Sequence, residues 1–258
     1  QMGTRIAAIT LVRRMVAYDT ILAWLLVDEP EGVEALVEML QTAQLRQQAL
    51  DTLACLLDEV YSYTDTRNSG ERREYFGAAG PVWPKTEPQY KVCTVILSNG
   101  GVKWIVAMVD NYMDSHLDVW TGMFVLSAIA RHHADGQGLI TLVDEDVISL
   151  ATQVLSTYSA PTSAATKSPA LAASETLFFI AKRSTGGNVG VVSADDEVAT
   201  RVLAANTIDV LVKVFTEWYT VHGRRDAPSV MLKALLRLYK IRALKMAMMG
   251  KKVATSLA

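Results

Sequence analysis

The chain has 258 residues, of which 50% are hydrophobic and 20% charged, and its formal net charge is −2. With 7 Pro and 15 Gly it is poor in turn residues, and it has enough apolar residues for a continuous core. Its two cysteines, Cys55 and Cys93, lie in apolar helical runs, which argues against a disulfide framework and indicates a reducing, intracellular compartment. The longest apolar runs are far shorter than the roughly 18 residues that span a bilayer, so we expect no integral membrane segment.

The first predicted helix spans about Thr4 to Val16, and two helical patterns then recur along the chain. The first pattern carries apolar residues at i, i+3, i+4 and i+7, which is typical of a helix with one buried face. Its copies are Gly32–Leu40, Gly101–Val109, Asp146–Val154 and Thr207–Phe215.

The second pattern opens on a small residue that lies one helical turn before a leucine. The small residue allows a neighbouring helix to approach closely, and we expect Leu53, Leu126 and Leu177 to be buried at equivalent positions. An uninterrupted unit of the two patterns is 41 residues long, within the roughly 40–47 residues of helical repeats. No copy can bury its apolar stripe alone, so stacking of units must supply the core. The copies begin at Ala49, Gly122 and Ala173.

These patterns resemble the armadillo family over nearly the whole chain, as about four copies with partial ends. HEAT repeats share the period, but the glycines at Gly32 and Gly101 favour armadillo. The resemblance implies an all-α fold, a right-handed α-solenoid of armadillo-like three-helix repeats, forming a single domain over residues 1–258. It also implies a short first helix in each unit and a third helix that lines a concave groove. Candidate first helices are Thr20–Val27, Gln89–Ser98, Gln137–Val143 and Asp195–Ala204.

Three segments exceed the length of a repeat and are predicted to be inserted loops, at residues 61–88, 159–169 and 184–193. The first contains prolines and the aromatic residues Tyr75, Phe76 and Trp83. Aromatic side chains on such a loop suit contact with another chain. The alternative is that this loop folds back on its own repeat.

Armadillo proteins that hold extended peptides carry a Trp and an Asn four residues apart on the third helix. That ladder is absent here, so we do not expect binding of a basic nuclear-localisation peptide. What remains is a groove of mixed apolar and acidic character, with Asp51, Phe124, Glu175 and Phe179 as candidate partner contacts. The alternative for Phe124 and Phe179 is that both pack in the core. The family's Trp and Asn positions fall on Asp51 and Cys55, Phe124 and Ala128, and Glu175 and Phe179.

Residues 223–258 include nine basic residues and one acidic residue. Within them, Ser229–Met248 is predicted to form a basic amphipathic helix. This pattern is shared by helices that bind calmodulin or a membrane surface, which makes Arg237 and Lys240 candidate contacts. The alternative is that its apolar stripe is the core face of the last repeat. That stripe consists of Leu232, Leu235, Leu236, Leu238 and Tyr239.

Signals for catalysis, metal binding or a cofactor are weak. His132, His133 and Asp135 are adjacent, but no further ligands complete a tetrahedral set. We therefore predict a non-catalytic protein-protein interaction module or a scaffold subunit, as part of a longer chain or a multi-subunit assembly. Its protein partner is not specified by the repeats. The alternative is a regulatory binder that uses residues 229–248 to contact calmodulin, an anionic membrane or nucleic acid. A protein partner is expected in preference to nucleic acid.

Overall fold

The computed structural model describes residues 2–18, 26–27, 29–68, 88–133, 136–160, 168–185, 192–226 and 229–246. Every regular element in these ranges is an α-helix, which confirms the all-α class. The chain divides into two compact units, Gln1–His133 and Ala134–Ala258. That both units belong to one armadillo-type solenoid stays a prediction.

The first unit contains six described helices, and its longest helix lies between two others. Helix α3 packs against α1 and α6, while α4 packs against both α2 and α3. The pair α5 and α6 completes this unit by packing together. The helices are α1 (Met2–Tyr18), α2 (Pro30–Met39), α3 (Ala43–Asn68), α4 (Pro88–Ser98), α5 (Gly101–Asn111) and α6 (His116–His132).

The second unit contains two successive sets of three described helices. Each helix of the first set packs against its counterpart in the second set, so that α7 contacts α10, α8 contacts α11 and α9 contacts α12. Packing like helices side by side is how a repeat covers an apolar stripe that it cannot bury alone. The helices are α7 (Gly136–Asp144), α8 (Val147–Thr157), α9 (Pro169–Ser184), α10 (Val192–Ala204), α11 (Thr207–Asp226) and α12 (Ser229–Leu238).

The leucines that the sequence aligns are all in the core. Leu53, Leu126 and Leu177 are buried, on α3, α6 and α9 respectively. Three of the candidate first helices are also present, as α4, α7 and α10. Of the fourth candidate, Thr20–Val27, only residues 26 and 27 are described, and both are helical.

A backbone feature recurs where three of the four second helices begin, the exception being α2, whose preceding residue Glu29 has a φ of −93°. Gly100, Asp146 and Asn206 have φ values of 66°, 58° and 54°, and each directly precedes α5, α8 or α11. Gly adopts this left-handed conformation freely, and Asp and Asn tolerate it better than other residues do. The recurrence corrects the predicted alignment by one residue, because it places Asp146 level with Gly100 and not with Gly101.

The predicted insertions begin and end at different residues in the structure. Helix α3 continues to Asn68, so residues 61–68 are helical and not loop. The reason is that no Gly or Pro interrupts the chain there before Gly70. The predicted aromatic contacts Tyr75, Phe76 and Trp83 lie outside the described residues.

The other two predicted insertions, 159–169 and 184–193, also overlap helices in the structure. Helix α9 begins at Pro169, directly after its N-cap residue Ser168, because proline is pre-organised for the first helical position. Helix α10 begins at Val192, which is inside the predicted loop 184–193. Residues 161–167 and 186–191 are outside the described part of the chain.

Replacing Leu53, Leu126 or Leu177 by Ala should destabilise the protein by about 2–5 kcal/mol each, because each change leaves a cavity in a packed core. Denaturation in urea measures the loss. Leu117 is the matched control, since this leucine is exposed on α6 and its replacement by Ala should change stability little. A cost at Leu117 equal to that at Leu126 would contradict the assigned packing.

Gly122→Ala should also destabilise the protein, although Ala has a higher helix propensity than Gly. Ala in an open helix position is about 1 kcal/mol better than Gly, but a Cβ at Gly122 would overlap Val109 Cγ2 on the adjacent helix α5. We expect a net loss of about 1–3 kcal/mol in the free energy of unfolding, caused by overpacking. The same glycine change should cost less when it is made in a Val109→Ala variant, where the overlapping methyl group is absent. Gly3→Ala is the control, because nothing lies within 4 Å of the Cβ at that position. A gain in stability at both glycines would contradict the close approach of α5 and α6.

Candidate interaction surface

Helix α12 uses only part of its circumference to join the core of the second unit. Val230, Met231, Ala234 and Leu238 are buried, and the helix packs against α9 and α11. The rest of its surface remains outside that packing.

The burial pattern of α12 matches the earlier third helices. Ala234 and Leu238 are buried on α12 as Ala173 and Leu177 are on α9. Ala234 also follows Asn206 by 28 residues, close to the 27 that separate Ala173 from the equivalent Asp146. This copy was not predicted from the sequence, although its Ala and Leu one helical turn apart recur at nearly the same spacing.

The side of α12 opposite its core face is apolar and exposed. Leu232, Leu236 and Tyr239 are 44%, 56% and 43% exposed, and they lie on one face at i, i+4 and i+7. The prediction that these three residues belong to the core face of the last repeat is therefore wrong. In that predicted stripe, Leu238 is buried and Leu235 is half-buried.

A basic stripe runs beside the apolar one. Each of the three exposed apolar residues is followed directly by a basic residue, and Lys240 is exposed while Lys233 and Arg237 are half-buried. No acidic residue occurs between positions 229 and 246. We call Leu232, Leu236, Tyr239, Lys233, Arg237 and Lys240 together the α12 surface.

The predicted helix Ser229–Met248 is not continuous. Helix α12 ends at Leu238, a turn follows, and residues 242–246 are helical again. No residue type in this segment explains the interruption. Across the turn, Lys245 Nζ lies 5.7 Å from the ring centroid of Tyr239, so the second helical segment adds another cation beside the exposed ring.

The position of Leu236 is filled differently in the other copies. By the alignment on the buried leucines it corresponds to Asp51, Phe124 and Glu175. Asp51, whose side chain is 19% exposed, forms an ion pair of 2.5 Å with Arg13 of α1. Phe124 is 9% exposed and stacks on Trp120 with ring centroids 5.4 Å apart. Glu175 is half-buried. Leu236 is thus the most exposed side chain at this repeat position.

Phe179 is packed in the same way as Phe124. It is 5% exposed and meets the ring of Phe178 edge-on at 5.0 Å, and Lys182 Nζ lies 5.8 Å from its ring centroid. The burial of Phe124 and Phe179 agrees with the core alternative for both residues. A partner would reach only their edges.

Two polar links between helices of the first unit were not predicted. The pair Arg13 and Asp51 joins α1 to α3, and a hydrogen bond between Gln47 and Asp118 joins α3 to α6. Gln47 and Asp51 are one helical turn apart, so the two links lie on neighbouring turns of α3. They tie Asp51 into the fold, which weakens the case that its carboxylate receives a partner.

The histidine pair at the end of α6 is integrated into the first unit. The ring of His133 stacks on Tyr90 with centroids 5.0 Å apart, and its Nε2 lies 3.4 Å from Thr94 Oγ1. On α4, burial raises the pKa of the Cys93 thiol well above its usual range, so this cysteine stays protonated in the core. Among residues with described positions, no group of three potential metal ligands comes together.

Among the described helices, no single one is long and apolar enough to cross a membrane, and one bent pair, Gln89–Ser98 with Gly101–Asn111, has the length and composition to do so.

Comparisons with known proteins identify no family. No family model matches the chain, and no curated protein matches it. Among solved structures, the crystal structure of an engineered protein is 15% identical, with an alignment that covers 93% of this chain and 92% of that chain at a TM-score of 0.49. Similarity at this level assigns neither a family nor a function.

Proposed function

We propose that the chain is an armadillo-like helical-repeat protein that acts as a non-catalytic protein-protein interaction module or as a scaffold subunit of a larger assembly. The observation that carries this proposal is the α12 surface. A stripe of three exposed apolar side chains on one helix is typical of a site that another protein covers.

The packing within the second unit supports the repeat part of the proposal. Helices α7, α8 and α9 each contact their counterpart three helices later, as stacked three-helix units would. In such a stack the third helix is flanked by neighbours, which accounts for the burial of Phe178 and Phe179 on α9. Tyr239 and Lys240 take the corresponding positions in the turn directly after α12 and are exposed, so this copy has surface to offer a partner.

In the alternative function, residues 229–248 bind calmodulin, an anionic membrane or nucleic acid. Its support is the basic stripe and the absence of acidic residues between positions 229 and 246. A partner that wraps a free helix on all sides fits poorly, because Val230, Met231 and Ala234 are already buried in the core.

Affinity capture from a cell extract, followed by quantitative mass spectrometry, tests the proposed function. The full chain should capture at least one protein saturably. If the α12 surface is the contact, Leu236→Asp should weaken that capture by about 1 kcal/mol or more. If residues 61–88 form the contact instead, the triple change of Tyr75, Phe76 and Trp83 to Ala should weaken it by the same amount. The melting temperature should stay nearly unchanged for the variant that weakens capture.

Leu117→Asp serves as the control, because Leu117 is an exposed leucine on α6, outside the α12 surface. Its capture should equal that of the unchanged chain. Absence of saturable capture, or equal capture by all variants, would contradict the proposed function at these surfaces. A large fall in melting temperature for the triple variant would show that its aromatics stabilise the fold instead.

A further inference from the structure

We infer that the α12 surface binds an acidic amphipathic helix of a partner protein, with leucine-like side chains at i, i+4 and i+7 and carboxylates that face Arg237 and Lys240. This inference deepens the proposed function and rests on it. Two features of the surface define the occupant: the shape of the apolar stripe and the sign of the charge beside it.

The apolar stripe has the dimensions of a contact between two helices. Leu232 and Leu236 lie one turn apart on α12, and Tyr239 follows its last residue, with its backbone N–H still donating to Leu235 O as in the helix. Seven residues of helix rise about 10 Å. A second helix lying on this line can place its own apolar residues between them, as ridges enter grooves. Within the second unit the opposite side of α12 already packs against a helix, α9, so a helix on the exposed side repeats a contact that this fold uses.

The charge beside the stripe selects acidic residues on the occupant. Arg237 and Lys240 directly follow two of the exposed apolar side chains, Leu236 and Tyr239, and carry positive charge beside the stripe. On a facing helix that runs antiparallel to α12, carboxylates directly after the apolar contact residues would lie along this stripe. Such charge complementarity favours the correct partner and accelerates encounter, whereas a basic helix would meet like charges.

An anionic membrane explains the surface less well. A helix that lies on a membrane buries its whole apolar face in the lipid interface, but Val230, Met231, Ala234 and Leu238 of α12 are in the protein core. Only the narrow stripe remains for insertion. Nucleic acid would use the basic residues through its phosphates and would leave Leu232 and Leu236 exposed.

The first helix of a second copy is also a poor occupant. Helix α1 exposes Leu11 and Met15, which offers an apolar face. It contains Arg5, Arg13 and Arg14 and no acidic residue, so its charge has the same sign as that of α12. Two α12 surfaces would repel each other for the same reason.

A synthetic peptide pair tests the inference on the full-length chain by fluorescence anisotropy. One peptide of about 18 residues, rich in Ala to favour helix, carries Leu at i, i+4 and i+7 with Glu directly after each Leu. The second peptide has Lys in place of every Glu. We expect the Glu peptide to bind, the Lys peptide to bind at least about tenfold more weakly, and the difference to shrink when salt is raised from about 0.1 to about 1 M.

Variants of the protein locate the binding. Leu236→Asp should weaken the binding of the Glu peptide at least about tenfold, which is the size of effect typical of a central contact residue. Lys240→Glu should reduce the preference for the Glu peptide over the Lys peptide, and Leu117→Asp should change nothing. Circular dichroism confirms that each variant is folded.

Several results would overturn the inference. These are equal binding of both peptides, equal weakening by Leu117→Asp and Leu236→Asp, and failure of the Glu peptide while phosphatidylserine vesicles, duplex DNA or a second copy bind in a manner that depends on Leu236. If protein capture from extract persists while the Glu peptide fails, the inference is wrong and the proposed function stands. If neither binding is seen, both are wrong.

Discussion

The structure depends on one constraint: a helix with an apolar stripe needs a neighbour to cover that stripe. Within the second unit the constraint is met by pairing each helix with its counterpart three helices later. Small residues at the crossings make the pairing close. Ala173 and Ala234 are fully buried one turn before Leu177 and Leu238, so backbones can approach where a larger side chain would hold them apart.

The same constraint explains why α12 differs from the other third helices. Its core face is complete, since Ala234 and Leu238 are as buried as their counterparts on α9. Its other apolar side chains, Leu232, Leu236 and Tyr239, are left in solvent by the described chain. Burying apolar surface contributes about 25 cal/mol per Å², so a partner that covers this stripe gains binding free energy that the isolated chain does not realise.

The sequence predicted the helices and the core leucines well, because periodicity and spacing are local signals. It placed α4, α7 and α10 correctly and put Leu53, Leu126 and Leu177 in the core. It failed for the α12 surface, because Leu236 and Leu238 are chemically identical and only the direction of packing separates an exposed leucine from a buried one. The ion pair between Arg13 and Asp51 was missed for a similar reason, since it joins residues that are 38 positions apart.

The most direct test of this account compares two leucines of α12. In the variants Leu236→Cys and Leu238→Cys, the rate at which a thiol reagent modifies the new cysteine is measured by peptide mass spectrometry, which counts the native Cys55 and Cys93 separately. The account predicts that the thiol at position 236 reacts nearly as fast as in the unfolded chain, and that the thiol at position 238 is slowed by more than about a hundredfold, since it reacts only after opening. Similar rates at both positions would contradict the assignment of a buried face and an exposed face to α12.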